Sequence, residues 1–285
     1  MNKIYLIGNG YVCDFITDKY SYDYEFIGVC RSKKNNCKHN YSIDISICTD
    51  ELDIVFRDKG DVVYLAAPQA SGVEDHTLEN FLSCVDKNKI KKLIYISTSG
   101  VYGDKKDQLV NEKSKLDPIT DRAKRRVHAE DQIINSKIDY TILRVPGIYG
   151  HGRLPMKRVD SNLPLIRQDI CKHTNLINAK DLAKIIIQCL SHKETTNMVM
   201  NVSDGTPIKT TDYYLHIYDA LKLHYPKFID YEEANELYDD KRKSFINESR
   251  ILDVSLMNKI FPNIIQFKDI REGIKDSLEY EITFS

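Results

Sequence analysis

The glycines at positions 8 and 10 carry the first chemical signal in the chain. Residues 3–16 read KIYLIGNGYVCDFI: an apolar run, then Gly8-Asn9-Gly10-Tyr11-Val12-Cys13, then a helix-like stretch. A dinucleotide fingerprint of the G-x-G-x-x-G/A kind belongs at this place, directly after a first strand. Gly8 permits the tight turn, and Gly10 lets backbone approach a pyrophosphate with no Cβ in the way. Tyr11 and Val12 open the helix, whose free N–H groups and positive end suit phosphate oxygens. Cys13 replaces the third glycine and is small enough for fairly close helix–strand packing. A ribose-binding acid is expected about twenty residues on, at the end of the second strand. That strand ends Gly28-Val29-Cys30-Arg31-Ser32-Lys33-Lys34, with no carboxylate. Arg31, with Ser32 beside it, suits the 2′-phosphate of NADP through a charge-assisted contact; a solvated basic turn is the plainer alternative. NADP is therefore the expected cofactor, with NAD second. Asp44, after the apolar run Tyr41–Ile45, sits where an acid often meets the adenine.

Such residues need a rigid scaffold. Apolar runs at Lys3–Ile7, Tyr24–Cys30, Val62–Leu65, Leu93–Ser97, Tyr140–Arg144 and Met198–Val202 read as strands. Candidate helices Val12–Lys19, Asp75–Lys87, Arg122–Ser136 and Lys180–Leu190 lie between them. Nearly continuous apolar runs fit parallel strands buried on both faces, and the alternation predicts βαβ units. The expected fold is a Rossmann-type, doubly wound α/β sheet. Residues 1–150 form its dinucleotide-binding domain, with 176–203 returning to it. Residues 151–285 form a smaller, mostly helical substrate region, and Gly205–Ser285 is expected to add at most one strand. The polar segment Gly103–Asp121 reads as a solvated loop or as a flap over a ligand site.

Composition narrows the function classes. The 285 residues are 42% hydrophobic and 29% charged, enough to bury a core. Lys+Arg at 41 against Asp+Glu at 42 leaves a net charge of -1, which argues against a nucleic-acid surface. No apolar run approaches the roughly 18 residues of a membrane helix, and the start lacks a signal-peptide pattern. Seven cysteines, an odd number with no Cys-x-x-Cys pair, read as reduced thiols. The histidines show no metal-ligand spacing, so no metal is expected. A cytoplasmic protein with a small-molecule partner, and with no membrane or nucleic-acid partner, is the expectation.

Tyr95–Gly103 reads YISTSGVYG after a strand. Asn111-Glu112, Ala129-Glu130, Leu143-Arg144-Val145-Pro146-Gly147-Ile148-Tyr149-Gly150, Asp181-Leu182-Ala183 and Arg271-Glu272-Gly273 follow in order. The chain resembles an atypical member of the extended short-chain dehydrogenase/reductase family, the NAD(P)-dependent epimerases and dehydratases. That resemblance covers nearly the whole chain. It implies further cofactor contacts at Ala66, Ala67 and Pro146, and a homodimer is compatible with it. It also implies a Ser/Thr that holds the substrate oxygen, here Thr98, and a Tyr-x-x-x-Lys pair for proton transfer. The pair should lie seven and three residues before Ala129, where this chain has Arg122 and Arg126. An arginine does not exchange protons near neutrality, although Arg126 could contact a ribose or phosphate and Arg122 a substrate.

Two Tyr-x-x-x-Lys matches elsewhere, Tyr102–Lys106 and Tyr218–Lys222, look like chance, though Tyr102 itself is kept as a catalytic candidate beside Thr98. Tyr149 and Arg153 are candidate substrate contacts; packing explains Tyr149 equally well. His151, Arg153, Lys157 and Arg158 suit an anionic substrate such as a nucleotide diphosphate, or form a solvated basic turn. Two functions stay open. One is oxidoreductase or epimerase/dehydratase-like chemistry on a small, nucleotide-linked carbohydrate. The other is an NADP-binding sensor or interaction protein without turnover.

Overall fold

The apolar runs of the first two-thirds of the chain form one seven-stranded sheet. Its strands are β1 (Asn2–Ile7), β2 (Tyr24–Cys30), β3 (His39–Ser42), β4 (Gly60–Tyr64), β5 (Ile90–Thr98), β6 (Tyr140–Val145) and β7 (Met198–Asn201), in the order β7-β6-β5-β4-β1-β2-β3. The computed structural model describes all residues except 33, 48–50, 240, 241, 244, 245, 284 and 285. Strands β1 to β6 pair in parallel, with partners such as Ile7↔Val29, Ile7↔Tyr64 and Thr98↔Val145. The chain runs outward from β1 through β2 to β3, then crosses back to β4 on the other side of β1. That reversal creates a switch point between β1 and β4, the place where open α/β sheets commonly bind their ligands. Helices α1 (Tyr11–Tyr20), α2 (Glu51–Val55), α3 (His76–Cys84), α4 (Asp121–Asn135) and α5 (Ala179–Ser191) lie between the strands. This is the expected Rossmann-type α/β architecture.

Local chemistry sets the ends of the helices. Asp75 caps α3 by accepting from Leu78 N–H at 3.0 Å, and Thr120 caps α4 by accepting from Ala123 N–H at 3.2 Å. Helix α3 stops short of the expected Lys87 because Val85 is extended and Asp86 caps a separate short turn at Lys87–Lys89. Between sheet and helices, Tyr5 stacks on Phe56 at 4.3 Å, and Phe81 packs against Phe56 and Tyr64. Burying each such side chain is worth about 1.5–3 kcal/mol. Two polar ties run through this core. Glu130 of α4 pairs with Arg144 of β6 at 2.7 Å, with 2% and 6% of the side chains exposed, and Ser97 Oγ donates to Glu130. Lys92 Nζ donates to the Cys189 carbonyl and to Thr195 Oγ1, both at 2.7 Å, closing the C-terminal end of α5.

The chain divides into two units, one of residues 1–101, 118–145 and 182–200 and the other of 102–117, 146–181 and 201–285. Within the second unit, four short strand pairs join distant segments. Gly147–Tyr149 lies beside Leu176–Asn178, Leu165–Ile166 beside Phe228–Ile229, His173–Thr174 beside Ile208–Lys209, and Leu109–Val110 beside Ile251–Leu252. Three of these strands fall after Gly205, which corrects the expectation of at most one. Two-residue pairings leave no alternating pattern in a sequence. The polar segment after Gly103 is thus tied down by Leu109–Val110. Asp181 accepts from the Gln266 and Phe267 N–H groups, fixing that loop at the start of α5.

Cys13, Cys30, Cys37, Cys171 and Cys189 are free thiols, but Cys84 is disulfide-bonded. That corrects the expectation of reduced thiols throughout, because an odd count leaves room for a bridge. Among the described residues no helix is long and apolar enough to cross a membrane, and no cluster of His, Cys, Asp or Glu could hold a metal.

Candidate functional site

The turn from β1 into α1 stands at the switch point. Gly8 has φ +82°, and a Cβ built there would lie 2.4 Å from both the Cα and the N of Ala66, just past β4. Only glycine lets the two strand ends come this close. The Gly8 and Asn9 N–H groups both donate to the Val29 carbonyl, at 2.9 and 3.2 Å, which fixes the turn against β2. Gly10 is the residue before α1, with φ −113°, and makes no side-chain cap. Its Cβ direction is open, with only the Gly8 carbonyl oxygen near, at 3.6 Å. Tyr11 and Val12 follow in the first turn. Cys13 is fully buried, and burial pushes its thiol up to about 12, so it packs rather than reacts.

An asparagine network under this turn was not foreseen. Buried Asn9 donates to Asn36 Oδ1 at 2.7 Å and to Asn40 Oδ1 at 3.2 Å, and Asn36 donates back to Asn9 and on to Asp14. The signal for it is Gly28, an interior strand glycine of the kind that marks close approach: a Cβ there would lie 2.4 Å from Asn9 Nδ2. Lys34 pairs with Asp14 at 2.7 Å and is drawn into this network. Lys33 lies outside the described residues. Arg31 and Ser32 are exposed just beyond β2, and the Arg31 backbone carbonyl accepts from Ser42 Oγ at 2.9 Å. Asp44 is also exposed. Its carboxyl is held low by hydrogen bonds from Ser46, with Arg31 adding to the effect. Ala66 is half-buried and Ala67 exposed beyond β4.

Thr98 ends β5, half-buried, on the face opposite Ser97. Its Oγ1 accepts from Gly100 N–H at 3.2 Å, which leaves the hydroxyl proton available. On α4, Arg122 is exposed in the first turn, whereas Arg126 is engaged below. Arg126 Nη1 donates to Tyr95 Oη at 2.8 Å, and the guanidinium carbon lies 5.5 Å from that ring's centre. Tyr95 is fully buried, and burial pushes its phenol up to about 12 against the pull of Arg126. Half-buried Arg126 is thereby held against Tyr95 through Nη1.

In the second unit, Tyr102 is fully buried and donates to Asn201 Oδ1 at 2.7 Å; Asn201 in turn donates to the Val110 and Asp253 carbonyls. This is a structural hydrogen-bond centre, which corrects the expectation of a catalytic Tyr102. Tyr149 is 1% exposed under the helix Ile270–Thr283, so close that a Cβ on Gly273 would overlap its hydroxyl at 2.1 Å. Of its two readings, packing is the one realised. Tyr218 is buried as well, and Lys222 lies beyond its helix at φ +55°. Arg153 is exposed in the turn after Gly150, and Pro146 directly follows β6.

Residues 43–193 match the NAD(P)H-binding family, a span that begins after the β1–α1 turn. No curated protein matches the sequence significantly. Solved structures match along almost the full length. A functionally unknown conserved protein from Silicibacter pomeroyi is 18% identical, with 98% of this chain and 99% of that one covered and a TM-score of 0.82. The UDP-glucose 4-epimerase of Thermotoga maritima, solved with UDP-glucose, is 19% identical, with 99% of each chain covered and a TM-score of 0.79. The UDP-glucuronic acid 4-epimerase of Bacillus cereus, in complex with NAD, is 17% identical, covering 99% of this chain and 100% of that one at a TM-score of 0.77. At these identities the likeness is one of fold.

Proposed function

The chain belongs to the NAD(P)H-binding family, and from that premise we propose that its first unit holds NADP, in preference to NAD, for oxidoreductase or epimerase-type chemistry on a nucleotide-linked carbohydrate. The observation that carries the reading is the β1–α1 turn, where the Cβ direction of Gly10 opens into free space at a switch point. The first N–H groups of α1 would take the pyrophosphate oxygens. Exposed Arg31 would take the 2′-phosphate, in a place where a carboxylate would repel it. A nicotinamide bound in this way supplies reversible hydride transfer. Thr98 keeps its hydroxyl proton to donate to a substrate oxygen, and Arg122 offers charge at the mouth of α4 without exchanging a proton. The second unit is assigned the carbohydrate, with Arg153 at its surface. The nucleotide-sugar class is supported by the Thermotoga and Bacillus enzymes of like fold. Five free thiols among the described residues support a cytoplasmic setting, and the Cys84 bridge stands against it.

A second reading, dinucleotide binding without turnover, is favoured by one observation: Arg126 is bound to Tyr95, and no tyrosine stands at position 122. Both readings are tested together. NADP and NAD are titrated into wild type and Arg31→Ala, and the NADP-loaded protein is then incubated with a panel of UDP-sugars under NMR. Tighter NADP binding that Arg31→Ala abolishes, with a sugar converted by wild type and not by Thr98→Val, is the expected result. Equal affinities for the two cofactors overturn the NADP preference. NADP binding with no sugar converted overturns the enzyme and leaves the sensor.

A further inference from the structure

Arg158 lies in the short helix Met156–Asp160 of the second unit and is only 8% exposed. Its guanidinium carbon lies 5.0 and 5.2 Å from the ring centres of Tyr214 and Tyr238, and Nη2 donates to Tyr238 Oη and to the Pro164 carbonyl. Nε and Nη1 have no partner although both are buried. An arginine left two donors short in a protein interior is costly unless a ligand completes it. Arg158 lines a small, partly open cavity of about 20 Å³. Thr210 and Thr211, the first residues of the helix Thr210–Ala220, line the same cavity; Thr210 N–H donates to the Lys172 carbonyl at 3.1 Å and Thr211 Oγ1 to the Ile166 carbonyl at 2.6 Å. Lys172 and Arg242 add two cations to the wall, against the single carboxylate of Glu248.

We propose that this cavity is an anion site of the second unit that takes a phosphoryl group. Three cations facing one carboxylate match a group that carries about −1.5 to −2 at pH 7 better than they match a carboxylate. Guanidinium N–H groups are among the donors that bind phosphate oxygens most strongly. The tyrosines hold the guanidinium plane in place, so little side-chain freedom is lost on binding. Free phosphate and the phosphate of a larger metabolite share this chemistry. The inference concerns the second unit alone and stands whether or not the β1–α1 turn binds a dinucleotide.

Calorimetric titration of the full chain with inorganic phosphate, and separately with ribose 5-phosphate, tests it. Saturable binding by wild type is expected. Arg158→Met should weaken it by about tenfold or more, the worth of one lost charge-assisted contact. Lys172→Gln, which leaves the buried arginine in place, should weaken it several-fold with thermal unfolding unchanged. Gly10→Val should bind phosphate like wild type, which separates this site from the dinucleotide turn. A tighter ribose 5-phosphate identifies a metabolite as the ligand, and equal affinities identify free phosphate. The proposal is overturned if phosphate does not saturate wild type, if folded Arg158→Met or Lys172→Gln binds unchanged, or if Gly10→Val removes the binding.

Discussion

The two glycines of the β1–α1 turn should respond very unequally to the smallest possible substitution. In Gly8→Ala the new methyl group enters a backbone at φ +82°, where an L-residue costs about 1–2 kcal/mol. It also arrives 2.4 Å from two backbone atoms of Ala66, far inside carbon–carbon contact distance. Relieving such an overlap costs a further 1–3 kcal/mol or so in a packed interior. The clash falls where β1 and β4 are laced together, by the Ile7↔Tyr64 pairing and the Leu65 N–H bond to the Ile7 carbonyl at 2.8 Å. A total of about 2–5 kcal/mol follows, or a drop in Tm of roughly 4–20 °C for a unit of this size. Gly10→Ala is the control. Its φ of −113° suits any residue and its only near neighbour is 3.6 Å away, so its stability should stay within about 1 kcal/mol of wild type. Thermal and urea unfolding followed by circular dichroism measure both. If Gly8→Ala melts with wild type, or if the two variants fall together, the close approach of Gly8 to Ala66 is not what fixes this turn.

Glu130→Ala should destabilise the protein by about 3–5 kcal/mol, because it leaves Arg144 charged and buried without its carboxylate; a loss under about 1 kcal/mol in urea unfolding would place the pair at the surface instead. Tyr102→Phe should cost about 1–3 kcal/mol by orphaning the buried Asn201 oxygen, and turnover of any substrate found should survive it, whereas a folded but inactive variant would return Tyr102 to the chemistry. Burial pushes Asp204 up to about 7, so the folded chain keeps a proton that the unfolded chain has released. Stability should then fall as pH rises from the ordinary aspartate range to about 7, and level off above it. Asp204→Asn should remove that slope and be the more stable protein above pH 7; parallel pH profiles for the two would refute it.

The sheet was largely legible in the sequence because its inner strands are buried on both faces and read as unbroken apolar runs. β3 was not, since HNYS is a half-exposed edge with no such run. The places of Gly8, Gly10 and Thr98 at strand ends were legible because each follows an apolar run. The bond of Arg126 to Tyr95 was not legible, because Tyr95 lies 31 residues away on β5 and no spacing rule links the two. Tyr102 sits inside a strong local motif, but its burial depends on Asn201, 99 residues on. Arg158 looked like one member of a basic turn. Only the distant tyrosines 214 and 238 bury it.

The central claim is that a nicotinamide dinucleotide sits in the β1–α1 turn, and calorimetric titration of NADP into wild type and Gly10→Val tests it most directly. The valine side chain would fill the open space above Gly10 that the pyrophosphate needs, while the fold stays as it is. Saturable binding by wild type that is lost in a normally folded Gly10→Val is the result predicted. A folded Gly10→Val that binds NADP as wild type does would contradict the claim and place the dinucleotide elsewhere.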